Sequence, residues 1–294
     1  MTLLEYIQSY ISYRDGSPGY ANQMRYAVND LQRFAGRELH PWDLSKKLIN
    51  EYLYDCRDRL APATRRNRRG YFSALLEFAA EDEELSERPS RLGRLAQIKV
   101  PETIVTTWTI EQVQQLYSHA GSVRGSYGGH RLEGGLRSLE VPKAKYWQAW
   151  ILASWDTAWR GCDLRSLERD WIPTHGRLVI QQNKTGKIVA SQLRPETIAA
   201  IDALIAEHRS RLCFPLWCRL DAWRAAAAVL VRRAKLEGSI GWLRSAAATA
   251  AEVAHPGSGH LLTGHASRVT FLRHYCDQSQ VSSVPLPPSL VPSA

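Results

Sequence analysis

Through residues 1 to 83, apolar side chains recur at intervals of three and four, the spacing of a buried helical face. Leu3, Leu4, Ile7, Tyr10 and Ile11 form the first stripe, which Gly16-Ser17-Pro18-Gly19 interrupts. Met24, Val28, Leu31 and Phe34 predict a second helix from about Tyr20 to Ala35, stopped by Gly36 with Pro41 beyond it. Leu48, Tyr52 and Leu53 mark a third. Pro62-Ala63-Thr64 opens a fourth, whose apolar side is Tyr71, Phe72, Leu75, Leu76 and Phe78 and which ends in the acidic run 81–84.

From residue 86 to 107 the chain turns polar and carries two prolines, which reads as a linker. A second domain is expected from Trp108, where Thr109-Ile110-Glu111-Gln112 has the form of a capped helix start. The glycine-rich stretch from Gly121 to Gly135 is expected to be a loop, and helices dominate thereafter. The exception is Gly176 to Leu193. There Leu178-Val179-Ile180 and Ile188-Val189-Ala190 flank the turn-forming Asn183-Lys184-Thr185-Gly186, which predicts a hairpin. The expected fold class is mainly α with a small β-hairpin or sheet. No fixed-period repeat points to a solenoid.

The 294 residues carry a net charge of +9, which suits a polyanionic partner because each neutralised phosphate releases counterions. The first 99 residues hold 16 Lys/Arg against 14 Asp/Glu and the remainder 22 against 15, so most of the excess lies in the second domain. Four arginines, Arg65, Arg66, Arg68 and Arg69, crowd the start of the fourth helix. They repel one another unless an anion lies across them. They are candidate contacts to a DNA backbone, with a solvated charged face as the other reading. The five cysteines lack metal-ligand spacing and are expected to be reduced thiols; no metal and no cofactor is expected. Met1 to Asp15 mixes charges into its apolar positions and does not read as a signal peptide. No apolar stretch is long enough to span a bilayer, so a cytoplasmic, nucleoid-associated location away from membranes is expected.

Five residues, taken in order and with their settings, carry the chemistry. Arg160 lies in Asp156-Thr157-Ala158-Trp159-Arg160-Gly161-Cys162-Asp163, after the apolar run from Trp147 to Trp159. Lys184 lies in Gln182-Asn183-Lys184-Thr185-Gly186-Lys187, and Arg244 in Gly241-Trp242-Leu243-Arg244. His265 follows in Leu261-Leu262-Thr263-Gly264-His265-Ala266-Ser267, and Tyr275 ends Arg273-His274-Tyr275. Alone, each is ordinary: Arg160 could pair with Asp163, Lys187 competes with Lys184, and Arg244 could sit on the surface of an Ala-rich helix. Together they resemble the motifs of the tyrosine recombinase (phage integrase) family. Three departures stand out: Ala158 replaces the usual glycine, Thr263 the usual leucine, and Gly241 the usual histidine of the second arginine box.

The resemblance implies a helical core-binding domain over residues 1–85, a linker over 86–107, an integrase-type catalytic domain over 108–280, and a Pro-rich tail over 281–294. It implies site-specific recombination or integration of double-stranded DNA through a 3′-phosphotyrosyl intermediate. In that chemistry Tyr275 attacks, while Arg160 and Arg244 hold the phosphate with forked donors. Lys184 protonates the 5′ leaving oxygen, and His265 hydrogen-bonds the phosphate. A homotetramer on DNA is expected, with a monomer or weak oligomer when free, and the tail from Val281 onward docks on a neighbour or else is a frayed end. Gly241 leaves open a catalytically weakened or inactive DNA-binding relative. A hydrolase is a poorer fit, because neither G-x-S-x-G nor H-E-x-x-H occurs.

Overall fold

The computed structural model of the protein describes residues 1–90, 93–128, 140–208 and 210–281. Helix α1 (Leu3–Tyr13) starts at Thr2, whose hydroxyl accepts from the Glu5 amide while the Glu5 carboxylate accepts from the Thr2 amide at 2.7 Å. Helix α2 (Pro18–Ala35) begins two residues before the sequence-based start. Pro18 occupies the first turn after the Ser17 cap, where its missing N–H costs nothing, so it opens the helix instead of belonging to the break. Helices α3 (Lys46–Asp55) and α4 (Pro62–Glu81) complete the N-terminal set, and Leu3, Ile7, Met24, Leu31, Tyr52, Phe72 and Leu75 meet in its core.

Met1–Thr103 and Ile104–Ala294 are the two compact units of the chain. The stretch read as a linker from 86 to 107 is divided between them. The Asn50 side chain donates to the Arg94 carbonyl and accepts from the Ala96 amide, and Leu95 and Ile98 pack on the first core. Thr107 instead joins the second unit, donating its hydroxyl to the Trp242 carbonyl at 3.1 Å.

At the heart of the first unit is a buried carboxylate, Asp30, which accepts hydrogen bonds from Tyr52 (2.8 Å), Arg59 (2.7 Å) and Arg68. Burial opposes its charge, but these three donors hold its pKa down at about 2. The arginine run on α4 is split by the helical period. Arg65, Arg68 and Arg69 are related by three and four residues and share one side, whereas Arg66 is exposed on another. Arg68 departs from the expectation for the run: its charge is met internally by Asp30, so only Arg65, Arg66 and Arg69 remain for an external anion.

The second unit opens with α5 (Ile110–Ser122), started by the Thr109–Gln112 reciprocal cap read from the sequence. A short antiparallel pair, β1 (Ser126–Gly128) and β2 (Glu140–Pro142), follows; most of the predicted glycine-rich loop between them lies outside the described residues. Helix α6 (Lys143–Thr157) is buried nearly all round, packed by α5, by α8 (Pro195–His208) and by α10 (Trp242–Ala254). Trp147, Trp150, Trp159 and Trp223, the last on α9 (Leu220–Arg233), supply much of the core volume. The predicted hairpin is β3 (Arg177–Gln181) paired with β4 (Ile188–Gln192). Its inward positions are Leu178, Ile180, Val189 and Ser191, and Trp159 donates to the Ser191 hydroxyl at 2.8 Å. Short helices α7 (Gly161–Arg165), α11 (Gly259–Thr263) and α12 (Arg268–His274) carry the remaining site residues. Among the described residues, no helix is long and apolar enough to cross a membrane. The tail from 282 to 294 lies outside the described residues.

Candidate active site

Helix α6 ends where Ala158 adopts a left-handed conformation (φ 47°), a geometry a glycine takes at lower cost. The turn lets Arg160 begin α7 with its side chain toward the hairpin, where Nη1 donates to Gln182 Oε1 at 2.8 Å. Asp163 does not pair with it. That buried carboxylate accepts from the Asn183 amide at 2.8 Å and from its side chain at 3.2 Å, pinning the hairpin turn to α7. The guanidinium of Arg160 is thus left to act outward.

Arg244, in the first turn of α10, is only 7% exposed, which removes the surface-residue reading. It donates to the carbonyl of Ala158 and, at 2.8 Å, to that of Thr263. Burial, and then the neighbouring positive Arg160, lower its pKa to about 10, so it stays cationic at neutral pH. Its guanidinium lies 5.3 Å from the centre of the Tyr275 ring.

His265 and Tyr275 are set by α11 and α12. Glu252, fully buried on α10, accepts from the amides of Gly257 and Gly259 and from Arg268 at 2.5 Å, clamping both short helices to α10. Gly264 then turns the chain at φ 72°, and a Cβ there would lie 2.5 Å from Val189, so only glycine fits against the hairpin. This places the His265 ring 4.3 Å, centre to centre, from that of Tyr275. Burial first, then Arg244, Arg160, Lys187 and His260, lower His265 to about 4, which leaves the imidazole neutral near pH 7.

Four of the five sequence-derived residues, Arg160, Arg244, His265 and Tyr275, therefore meet in one place. Lys184 sits exposed in the hairpin turn and makes no hydrogen bond or ion pair among the described residues; the hairpin lysine whose charge reaches His265 is Lys187. Two residues at the centre of the cluster were not singled out from the sequence. Gln182, 1% exposed, accepts from Arg160 and from Thr185 (2.8 Å each) and donates to the Thr263 carbonyl at 3.3 Å. Its signal was available: Leu178, Ile180 and Gln182 alternate inward, so a polar side chain points at the core. Thr263 was noted only as a replacement for leucine. Its carbonyl holds both Arg244 and Gln182, and its hydroxyl lies 2.5 Å from His265 Nδ1. Among the described residues, no group of three or more His, Cys, Asp or Glu side chains is placed to hold a metal ion.

Solved structures share this architecture. A lambda integrase dimer bound to a COC′ core site superposes with a TM-score of 0.69 over 98% of this chain and 81% of its own, at 16% identity. XerH site-specific recombinase bound to difH substrate gives 0.65 over 91% and 80%, at 15% identity. The Tn1549 transposon integrase in complex with circular intermediate DNA gives 0.61 over 94% and 95%, at 13% identity. The fold is that of the tyrosine recombinases. No family sequence model and no curated protein sequence matches the chain. Within this tyrosine recombinase fold, the mainly helical class with a small hairpin agrees with the sequence-based expectation. A lambda integrase tetramer bound to a Holliday junction also superposes, with a TM-score of 0.64 over 91% of this chain and 78% of its own, at 17% identity.

Proposed function

We propose that the chain is a site-specific DNA recombinase that cuts and rejoins strands through a covalent bond between Tyr275 and a 3′ phosphate. The observation that carries this reading is the placement of Arg244 and His265 against the Tyr275 ring, with Arg160 neighbouring both of them. A covalent intermediate conserves the phosphodiester energy, so that the strand can be remade. A phenol has an ordinary pKa of ~10 and is a weak nucleophile near neutral pH, so it needs both a proton acceptor and an electrophilic phosphate. Arg160 and Arg244 supply the second: both are fixed by hydrogen bonds before substrate arrives, which lets them stabilise charge building on the non-bridging oxygens without rearranging. Lys184 protonates the departing 5′ oxygen from the hairpin turn, with Lys187 as the competing donor. In the first unit, Arg65, Arg66 and Arg69 contact backbone phosphates. Double-stranded DNA is the partner, and a tetramer on DNA is the working assembly, as in the lambda integrase structure.

Gly241 favours a second reading, a relative that binds DNA and cuts weakly or not at all. One experiment separates the two. A duplex bound by the full-length protein, selected from random sequence and nicked near the contact, is incubated with wild type and with Tyr275→Phe. The proposal expects a denaturant-resistant protein–DNA adduct from wild type only, with equal band shifts. An adduct from the phenylalanine variant would move the nucleophile elsewhere, and its absence from wild type would leave the binding-only reading.

A further inference from the structure

The two departures in the motif residues at 241 and 263 lie in one site. Gly241 lines a cleft of about 520 Å³ together with Arg160 and Arg244 and brings no side chain into it. Thr263 introduces a buried hydroxyl under His265. That hydroxyl has three partners: the carbonyl oxygens of Gly259 and His260, both at 3.1 Å, and His265 Nδ1 at 2.5 Å. It owns a single hydrogen. Carbonyls only accept, so the hydrogen goes to them, and the oxygen is then an acceptor toward the imidazole. The opposite assignment would leave two carbonyl oxygens facing the hydroxyl oxygen with no hydrogen between them. Nδ1 therefore carries the proton of the neutral ring, and Nε2 is left with a free lone pair.

From this network we infer that His265 is the proton acceptor for Tyr275, and that Thr263 is the positioning residue that holds its Nδ1–H tautomer in place of the histidine missing at 241. The inference rests on the recombinase reading. A leucine at 263 offers no acceptor and would free the ring to present Nε2–H to a phosphate as a donor. The threonine turns the same ring into a base. In the cleavage step the Tyr275 Oη–P bond forms as the phenol proton passes to His265 Nε2, and the P–O5′ bond breaks as a hairpin lysine gives its proton to O5′. Religation runs the reverse, so protons balance and no co-reactant is needed. The charged and titratable groups facing His265 are Arg244 from α10, Arg160 from the α6–α7 turn, Lys187 from the hairpin, His260 from α11 and Tyr275 after α12. Burial first and the positive neighbours second keep the ring from accepting a proton; an incoming phosphodiester offsets part of the second effect, so the base strengthens when substrate is in place.

The test is single-turnover adduct formation by the full chain on the selected nicked duplex, with band shift and thermal melting alongside. Thr263→Val keeps the volume and removes the acceptor; it should bind normally and cleave about five- to ten-fold more slowly, the worth of one neutral hydrogen bond. Thr263→Ser should recover most of that loss. His265→Gln keeps an N–H donor toward phosphate but has no basic nitrogen, and should cleave about a hundred-fold more slowly or worse, without the fall in rate that wild type should show on acidification. Gly241 has ordinary backbone geometry, and a Cβ there meets nothing nearer than Ser239 Oγ at 3.5 Å, so a histidine fits. Adding Gly241→His to Thr263→Val should restore the rate. A wild-type rate in either Thr263→Val or His265→Gln overturns the inference while leaving the recombinase reading intact. If Thr263→Val fails to bind, His265→Gln decides alone. Absence of any wild-type adduct removes both.

Discussion

Replacing Gln182 by alanine tests whether the arginine geometry of this site is held from behind. The side chain is 1% exposed and its oxygen accepts from Arg160 Nη1 at 2.8 Å, while its nitrogen reaches the Thr263 carbonyl at 3.3 Å. The Thr263 carbonyl keeps Arg244 as a donor, so the truncation orphans no buried acceptor there. The stability loss should therefore stay near 1–3 kcal/mol, from one buried side chain and its bonds. The bond to Arg160 is charge-assisted, worth about 1.5–3 kcal/mol. Where that energy serves only to orient the guanidinium toward phosphate, its loss converts to roughly ten- to hundred-fold in cleavage rate at ~1.36 kcal/mol per decade. Single-turnover adduct formation on the nicked duplex reads the rate, band shift reads affinity, and a melting curve reads folding. A folded variant that cleaves within two-fold of wild type would show that Arg160 needs no support from the hairpin, and would reduce Gln182 to packing.

Lys184→Ala should slow cleavage of ordinary DNA by about a hundred-fold or more yet spare a duplex with sulfur at the 5′ bridging position, since a thiolate leaves without a proton. The same selectivity in Lys187→Ala instead would hand the role to the lysine that already acts on His265. Changing Arg65, Arg66 and Arg69 to glutamine should flatten the salt dependence of binding by about 0.9 log units per lost phosphate contact; an unchanged slope returns them to a solvated face. Arg68→Gln should instead destabilise the first unit by about 1–3 kcal/mol, because it strips one charged donor from the buried Asp30 while Tyr52 and Arg59 remain; a wild-type melting curve contradicts that. Asp30 has a folded-state pKa of about 2, below its ordinary value of 3.8, so its contribution is complete above about pH 4 and is lost as pH falls toward 2. The stability at stake over that window is about 2–3 kcal/mol. Acid titration of the wild type should show this loss, and Asp30→Asn should be less stable at neutral pH but flatter across the same range.

The sequence by itself determined the helical stripes, the hairpin and the order of the five motif residues, because each depends on spacing along one short segment. Helical period marks the buried face of α1 through its own apolar residues, and period two marks β3 and β4, whatever those elements later pack against. The same locality explains what was misread. An arginine run looks uniform in one dimension, but the helical period turns Arg68 inward, and only the fold brings it to Asp30, 38 residues away. Pro18 looked like part of a break until its place at a helix start was visible. Gln182 and Thr263 are the extreme case. They stand 81 positions apart, and their importance lies in bonds that tie the hairpin, α10 and α11 into one network. Only tertiary structure decides such bonds, because a hydrogen bond is satisfied by whatever donor or acceptor the packed chain brings within about 3 Å, at any separation along the sequence.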